Sequence, residues 1–334
     1  MRENFLMGGR TIVMLAELPF EVPAQSIDRV CISGMSAIHQ CAMEIMLGYS
    51  DLCFANGMEH MTHVPLDARY NTDLMQVSPR FWQDEALKKY ELQTALSMGL
   101  TAEKLWSQTD FTREEMDEWS LGSHQKAAAA VDSGFFAGEL LPLDVEQEDG
   151  SMKHVESDLS IRGETTMEGL AGLKPAFKPD GQITAGNSSP LNAGCASVLL
   201  TSAEKAKAMG LKPLAKIISM GWAGVDPSIM GAGPVPASRK ALEKIGMDAK
   251  DIDYWEINEA FSIVPLYAIK ELDLDPERVN IHGGAVAIGH PLAASGPRLT
   301  GTLARILHEK DAKYGAATLC GGGGQGGTII IEKL

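Results

Sequence analysis

The chain has 334 residues, 45% of them hydrophobic, with 34 Gly, 17 Met and a formal net charge of −15. That supplies apolar material for two or three domain-sized units, while the acidity repels nucleic acid and anionic membrane surfaces. No apolar run approaches the ~20 residues that span a bilayer, the first residues lack the apolar core of a secretory signal, and the five Cys have neither disulfide-scaffold nor zinc spacing, which argues for a reducing compartment.

Residues 8–18 (GGRTIVMLAEL) read as a short helix stopped by Pro19. Residues 26–30 (SIDRV) are expected as a short strand. Cys31-Ile32-Ser33-Gly34 then opens a long helix, with Met35, Ile38, Ala42, Ile45 and Met46 at helical spacing. Gly48 ends it, and residues 51–55 (DLCFA) follow as a buried strand. Strand, helix and strand in this order is the pattern of an α/β unit with parallel strands. Residues 58–190 differ in character, alternating helices such as 107–129 with charged, irregular connections such as 146–156. They are expected to form an inserted subdomain, closed by the polar turn Thr184-Ala185-Gly186-Asn187-Ser188-Ser189-Pro190 before an apolar strand at 196–200. From Pro213 a second α/β unit begins, with strand 214–219, a helix from Ser238, and strand 253–257 (DYWEI) ending in Asn258-Glu259-Ala260-Phe261.

The two units echo each other. Val30-Cys31-Ile32-Ser33-Gly34, helix, DLCFANG parallels Pro291-Leu292-Ala293-Ala294-Ser295-Gly296, helix, AATLCGG. Duplication at this scale predicts two similar α/β halves packed face to face: residues 1–60 with 191–212, and 213–334, with 61–190 as the inserted loop subdomain. About 80 residues of the second unit precede its Ser-Gly, against 32 in the first. The first half is therefore expected to be incomplete at its N-terminal side, its early strands supplied upstream or by another chain.

The chemistry concentrates at residues 281–327, where His290 and Cys320 sit among Gly and Ala. Gly lets backbone approach a ligand closely, and successive N–H groups can converge on an anionic oxygen. A lone glycine run is usually a tight turn beside a core histidine; two runs, each carrying an acid–base side chain, favour a site. Cys31 is placed at a helix start, which favours a thiolate, and is a candidate nucleophile. Cys41, Cys53 and Cys195 read as buried, inert thiols, and His39, His60 and His63 as structural or surface residues.

Taken together, Val30-Cys31-Ile32-Ser33-Gly34, the Gly186-Asn187-Ser188-Ser189 turn, Gly231-Ala232-Gly233-Pro234-Val235-Pro236-Ala237, Asn258-Glu259-Ala260-Phe261, Gly289-His290-Pro291 and Cys320 with its glycines resemble the thiolase family over nearly the whole chain. The Met58-Glu59-His60-Met61 run and the residues to Pro65 look most like degradative 3-ketoacyl-CoA thiolases, including those that partner a hydratase/dehydrogenase. The resemblance implies a thiolase fold and CoA-dependent cleavage of 3-ketoacyl-CoA to acetyl-CoA and a shortened acyl-CoA, as in fatty-acid β-oxidation. It implies Cys31 as the acylated nucleophile, His290 as the base that takes its proton, and Cys320 as the acid/base at the acetyl carbon. Asn258, through a water, and His290 match one oxyanion pocket; the N–H groups of Cys31 and Gly322 match another. For CoA, a substrate and not a resident cofactor, Ser189 matches a pantetheine contact, Met98 and Met230 line the tunnel, and Arg162 lies where the adenine nucleotide approaches. A cytoplasmic homo-oligomer, dimer or tetramer, is implied as well.

Three departures stand out. Ile32 replaces a smaller residue and is expected to crowd the acyl group; Ser97 stands where some members carry a CoA-contacting His; and the chain begins inside the family's first half. Rival readings are an acetoacetyl-CoA-forming thiolase, a ketoacyl synthase of the same superfamily, and a non-catalytic or partner-dependent thiolase fragment. Asn258 and Cys320 argue against the synthase, which uses Cys-His-His.

Overall fold

A computed structural model describes residues 8–61 and 78–334, and two crossing helices organise it. The first, α2 (Ser33–Met46), follows a short α1 (Gly8–Leu15) and buries Met35, Ile38 and Ala42, three or four residues apart, on one face. The second, α7 (Ser295–Glu309), buries Leu299, Leu303, Ile306 and Leu307 together with Gly296, Thr300 and Ala304, so most of its circumference is covered. Between them come α3 (Met98–Ser107), α4 (Arg113–Asp132), α5 (Pro234–Glu243) and α6 (Ile263–Leu272), with shorter turns. Thr112 and Glu115 close a reciprocal capping box on α4, so the helix expected at 107–129 starts only at Arg113 and runs on to Asp132.

Where α2 and α7 cross, there is room for no side chain. A Cβ on Gly34 would lie 2.1 Å from Ala293 O, and one on Gly296 would lie 2.3 Å from Met35 N. Each copy of the Ser-Gly repeat is pressed against the other copy's backbone, which is the face-to-face packing that the duplication predicts.

The strands depart from the expected parallel pattern. β1 (Leu52–His60) pairs antiparallel with β4 (Ala193–Thr201), so the 61–192 segment leaves and returns at neighbouring points. Within it β2 (Leu143–Glu146) and β3 (Met152–Val155) form a small exposed hairpin. The second sheet has the order β5-β8-β7-β6, with β5 (Ala215–Gly224), β6 (Tyr254–Ile257), β7 (Tyr314–Gly321) and β8 (Gln325–Lys333). Only β6 and β7 are parallel; β7 and β8 are joined by a tight turn and must run antiparallel. The strand expected at 26–30 is absent because its backbone is used locally: Val30 N–H donates to Asp28 Oδ1 and Arg29 N–H to Ser33 Oγ.

The alternation along β7 and β8 assembles two cores. Ala317, Leu319, Ile329 and Ile331 join Ile32, Met35 and Ile38 of the first half with Leu299, Leu303 and Leu307 of α7. Ala316 and Ile330, on the opposite face, meet Val235, Ala241 and Leu242 of α5 and Ala268 of α6, with Trp255 and Ile257 of β6. Covered on both faces, these strands read as nearly continuous apolar runs. Ile32 belongs to the first core and is fully buried there, its side chain 3.1 Å from where a Cβ on Gly321 would sit. It turns inward, so the expected crowding of an acyl group is replaced by core packing.

Candidate active site

The chain makes an elbow just before Cys31. Val30 holds φ 52°, a left-handed conformation that a β-branched residue rarely adopts. Local bonds hold it: Asp28 Oδ1 accepts from Val30 N–H at 2.9 Å, and Ser33 Oγ–H donates to Val30 O at 2.7 Å. The turn Val30–Ile32 leads straight into α2 and leaves Cys31 3% exposed, packed against Met61 at the end of β1 and Leu292 after His290.

Cys320 is the last residue but one of β7 and is fully buried. Burial pushes its thiol well above the usual range, and the neighbouring Cys31 thiol adds to the shift, so at neutral pH Cys320 carries its proton. The glycines that follow reach the elbow: a Cβ on Gly322 would lie 3.2 Å from Val30 Cγ1 and 3.5 Å from Met98 Sδ. Backbone there is thus pressed between the turn that carries Cys31 and the start of α3.

His290 is 3% exposed, and burial lowers its pKa to about 4, so the imidazole is neutral at pH 7. Its Nδ1 lies 2.6 Å from Ser295 Oγ and its Nε2 3.4 Å from Asn258 Nδ2. An amide N–H facing Nε2 requires a lone pair there, which puts the ring proton on Nδ1, donated to Ser295. Nε2 is left as the basic nitrogen. Asn258, 1% exposed, follows β6, and its N–H donates to Thr318 O of β7, which places it one strand away from Cys320.

The remaining expected contacts divide. Met98 and Met230 lie in one apolar cluster with Cys320, Phe261 and Ile183. Ser189 is half-buried, its hydroxyl donating to Ala260 O at 3.1 Å, beside the motif that carries Asn258. Arg162 is exposed, its N–H donating to His124 Nδ1, and it is not among the side chains gathered around the two cysteines. Cys195 is exposed on the outward face of β4, contrary to its reading as a buried thiol, because strand alternation turns it out. His39 is buried with its ring 3.9 Å from Trp222, His60 is exposed, and His63 lies outside the described residues. The Ser295 partner of His290, the Val30 conformation and the Met61–Leu292 wall escape a reading of motifs. Only the hydroxyl's recurrence in both Ser-Gly repeats signals the first.

The thiolase N-terminal domain matches residues 6–204 and the thiolase C-terminal domain residues 211–333. The chain belongs to the thiolase family. It is 44% identical to the 3-ketoacyl-CoA thiolase of Marinobacter nauticus over 329 residues, 97% of this chain and 81% of that one. The 3-ketoacyl-CoA thiolase of Saccharophagus degradans is 46% identical over the same shares. Among solved structures, human mitochondrial 3-ketoacyl-CoA thiolase superposes with a TM-score of 0.86 at 37% identity, covering 98% of this chain and 83% of that chain. The acetyl-CoA acetyltransferase of Bacillus anthracis gives 0.87 at 40% identity, covering 100% and 85%. No helix among the described residues is long and apolar enough to cross a membrane, and no group of His, Cys, Asp and Glu there is placed to hold a metal.

Proposed function

We propose that this thiolase cleaves 3-ketoacyl-CoA with CoA, giving acetyl-CoA and an acyl-CoA shortened by two carbons, as β-oxidation requires. The observation that carries the reading is a neutral histidine, its Nε2 basic, buried between Asn258 and Ser295, with Leu292 two residues on packed against Cys31 and the neighbouring buried Cys320 holding its proton firmly. Cys31 Sγ attacks the C3 carbonyl carbon while His290 Nε2 takes the thiol proton. The oxyanion formed on C3 lies beside the nucleophile's own N–H and that of Gly322. The C2–C3 bond then breaks, its electron pair passing to C2, and Cys320 delivers its proton there to release acetyl-CoA. Asn258 Nδ2 and the imidazolium face the enolate oxygen in that step, and the imidazolium proton then restores the Cys320 thiol. CoA thiol passes its proton to His290 Nε2 as it attacks the Cys31 thioester, and the expelled Cys31 thiolate takes that proton back.

Met61 and Leu292 give the acyl chain an apolar wall at Cys31, and Met98 and Met230 serve the pantetheine tunnel with Ser189. Arg162 is proposed for the nucleotide end of CoA, where an exposed cation suits a phosphate. The reverse condensation uses the same residues. A cytoplasmic homo-oligomer with a hydratase/dehydrogenase partner completes the proposal, supported by the resemblance of residues 58–65. Purified protein should consume both acetoacetyl-CoA and a long 3-ketoacyl-CoA only when CoA is added, and without CoA should carry an acyl group on the peptide containing Cys31. Consumption of neither substrate, or label on Cys320 alone, would overturn the reading.

A further inference from the structure

Glu259 follows Asn258 and is completely buried. Its carboxylate is met by four neutral donors. Trp119 Nε1–H at 2.8 Å and Asn280 Nδ2–H at 2.9 Å reach Oε1; Ser123 Oγ–H at 2.7 Å and Val286 N–H at 3.1 Å reach Oε2. Burial raises its pKa and these donors lower it, each favouring the charged form. With both oxygens doubly occupied, neither is left to meet a substrate.

The donors come from separate parts of the chain. Trp119 and Ser123 lie on α4, and Asn280 is itself tied to the end of β6, accepting from Ile257 N–H and donating to Ile257 O, both at 2.8 Å. Val286 is the second residue of the turn Ala285–Ile288 that runs to Gly289 and His290. A second thread holds the same segment, because Ser123 Oγ accepts from Gly284 N–H at 2.9 Å while donating to Glu259. The segment lies hard against the carboxylate, since a Cβ on Gly284 would sit 2.3 Å from Glu259 Cδ.

We infer that Glu259 is a positioning residue for the reaction: by anchoring Gly284 and Val286 from the residue next to Asn258, it fixes His290 Nε2 against Asn258 Nδ2. This rests on the reading that His290 and Asn258 face the reacting atoms. Glu259→Gln keeps the shape of the side chain, but either orientation of its amide sets an N–H against a donor that cannot turn away, Trp119 Nε1–H with Asn280 Nδ2–H on one side or Val286 N–H on the other. Trp119→Phe is the contrast, because it removes one donor from Oε1, leaves Asn280 there, and leaves Oε2 untouched.

The full chain carrying Glu259→Gln, Ser123→Ala, Trp119→Phe or His290→Ala is compared with the parent. The readouts are steady-state cleavage, alkylation of Cys31 by iodoacetamide, and urea unfolding. Glu259→Gln is expected to lower kcat by about 10–100-fold with KM changed less than about 3-fold, and to slow Cys31 alkylation, as a displaced base would. Ser123→Ala should shift kcat in the same direction by more than about 3-fold, and it carries the test if Glu259→Gln does not fold. Trp119→Phe should unfold at lower urea yet keep kcat within about 3-fold. If His290→Ala is inactive while Glu259→Gln, or in its place Ser123→Ala, keeps the parent kcat, positioning by Glu259 is wrong. Equal kcat losses in Glu259→Gln and Trp119→Phe, tracking lost stability, overturn it too. Full activity in His290→Ala would overturn the functional reading itself, and this inference with it.

Discussion

At the scale of single residues, burial keeps two groups of the proposed site uncharged. His290, lowered to about 4, is uncharged at neutral pH, as the proposed base requires, and Cys320, pushed up, keeps its proton there, as the proposed acid requires. Asn258→Ala should therefore slow C–C cleavage by roughly 10²–10³, the usual effect of losing one oxyanion donor, with KM little changed. A raised KM at constant kcat would instead make Asn258 a substrate-binding residue. Cys320→Ser should still allow an acyl-CoA to acylate Cys31, but deuterium exchange into the methyl of acetyl-CoA should stop, because a serine hydroxyl is a far weaker acid than a thiol. Undiminished exchange in that variant would move the acid elsewhere. These candidates were legible because two glycine-rich runs, each carrying an acid–base side chain, favour a site where one alone would not. Ser295 was not, since a serine at a helix start is commonly just a cap, and its bond to Nδ1 needs the turn from Pro291 to Ala294 to fold first.

At the scale of elements, long periodic helices were legible and strand direction was not. Met35, Ile38 and Ala42 marked α2 and its buried face, whereas residues 51–55 gave β1 no direction, because pairing with β4 is set by chain far away in sequence. Residues 26–30 failed as a strand because Asp28 and Ser33 offered the backbone closer partners. β6 carries a more telling anomaly, the buried Glu256, whose Oε1 has no partner and whose pKa is raised well above the usual range, chiefly by burial and then by Glu259 and Glu139. Its folded pKa lies above its unfolded one, so its contribution to stability is intact below the ordinary pKa of about 4.5 and is lost as pH rises toward the folded value. Over that window the unfolded chain gains up to about 1.4 kcal/mol per pH unit by releasing the proton. Glu256→Gln should thus stabilise the protein at pH 8 and do so less at pH 5. Urea unfolding at the two pH values decides it; a gain independent of pH would mean that folding does not raise the pKa, and a loss at pH 8 that the carboxyl is ionised and satisfied in the fold.

At the scale of the whole molecule, the site exists only because the two halves are held at one spacing. Cys31 precedes α2 and His290 precedes α7, so the crossing of these helices sets the distance between the proposed nucleophile and base. At the crossing both obstructing atoms are backbone, Ala293 O against Gly34 and Met35 N against Gly296, and neither can rotate aside. Gly34→Ala and Gly296→Ala must therefore drive the helices apart, at a cost of about 1–3 kcal/mol typical of an overfilled core. A shift near 1 Å between reacting groups can lower a rate about 10²-fold, so kcat should fall further than stability alone explains. Gly122 provides the matched control: it lies inside α4, and a Cβ there would meet nothing within 4 Å. Gly122→Ala should stabilise the chain by about 0.5–1 kcal/mol through helix propensity and leave kcat unchanged. Unfolding midpoints and kcat for the three variants compare the same chemical change at a crossing and on an open face. If Gly34→Ala and Gly296→Ala proved as harmless as Gly122→Ala, the halves would be free to slide, and the geometry of the site would have to be set by something other than this contact.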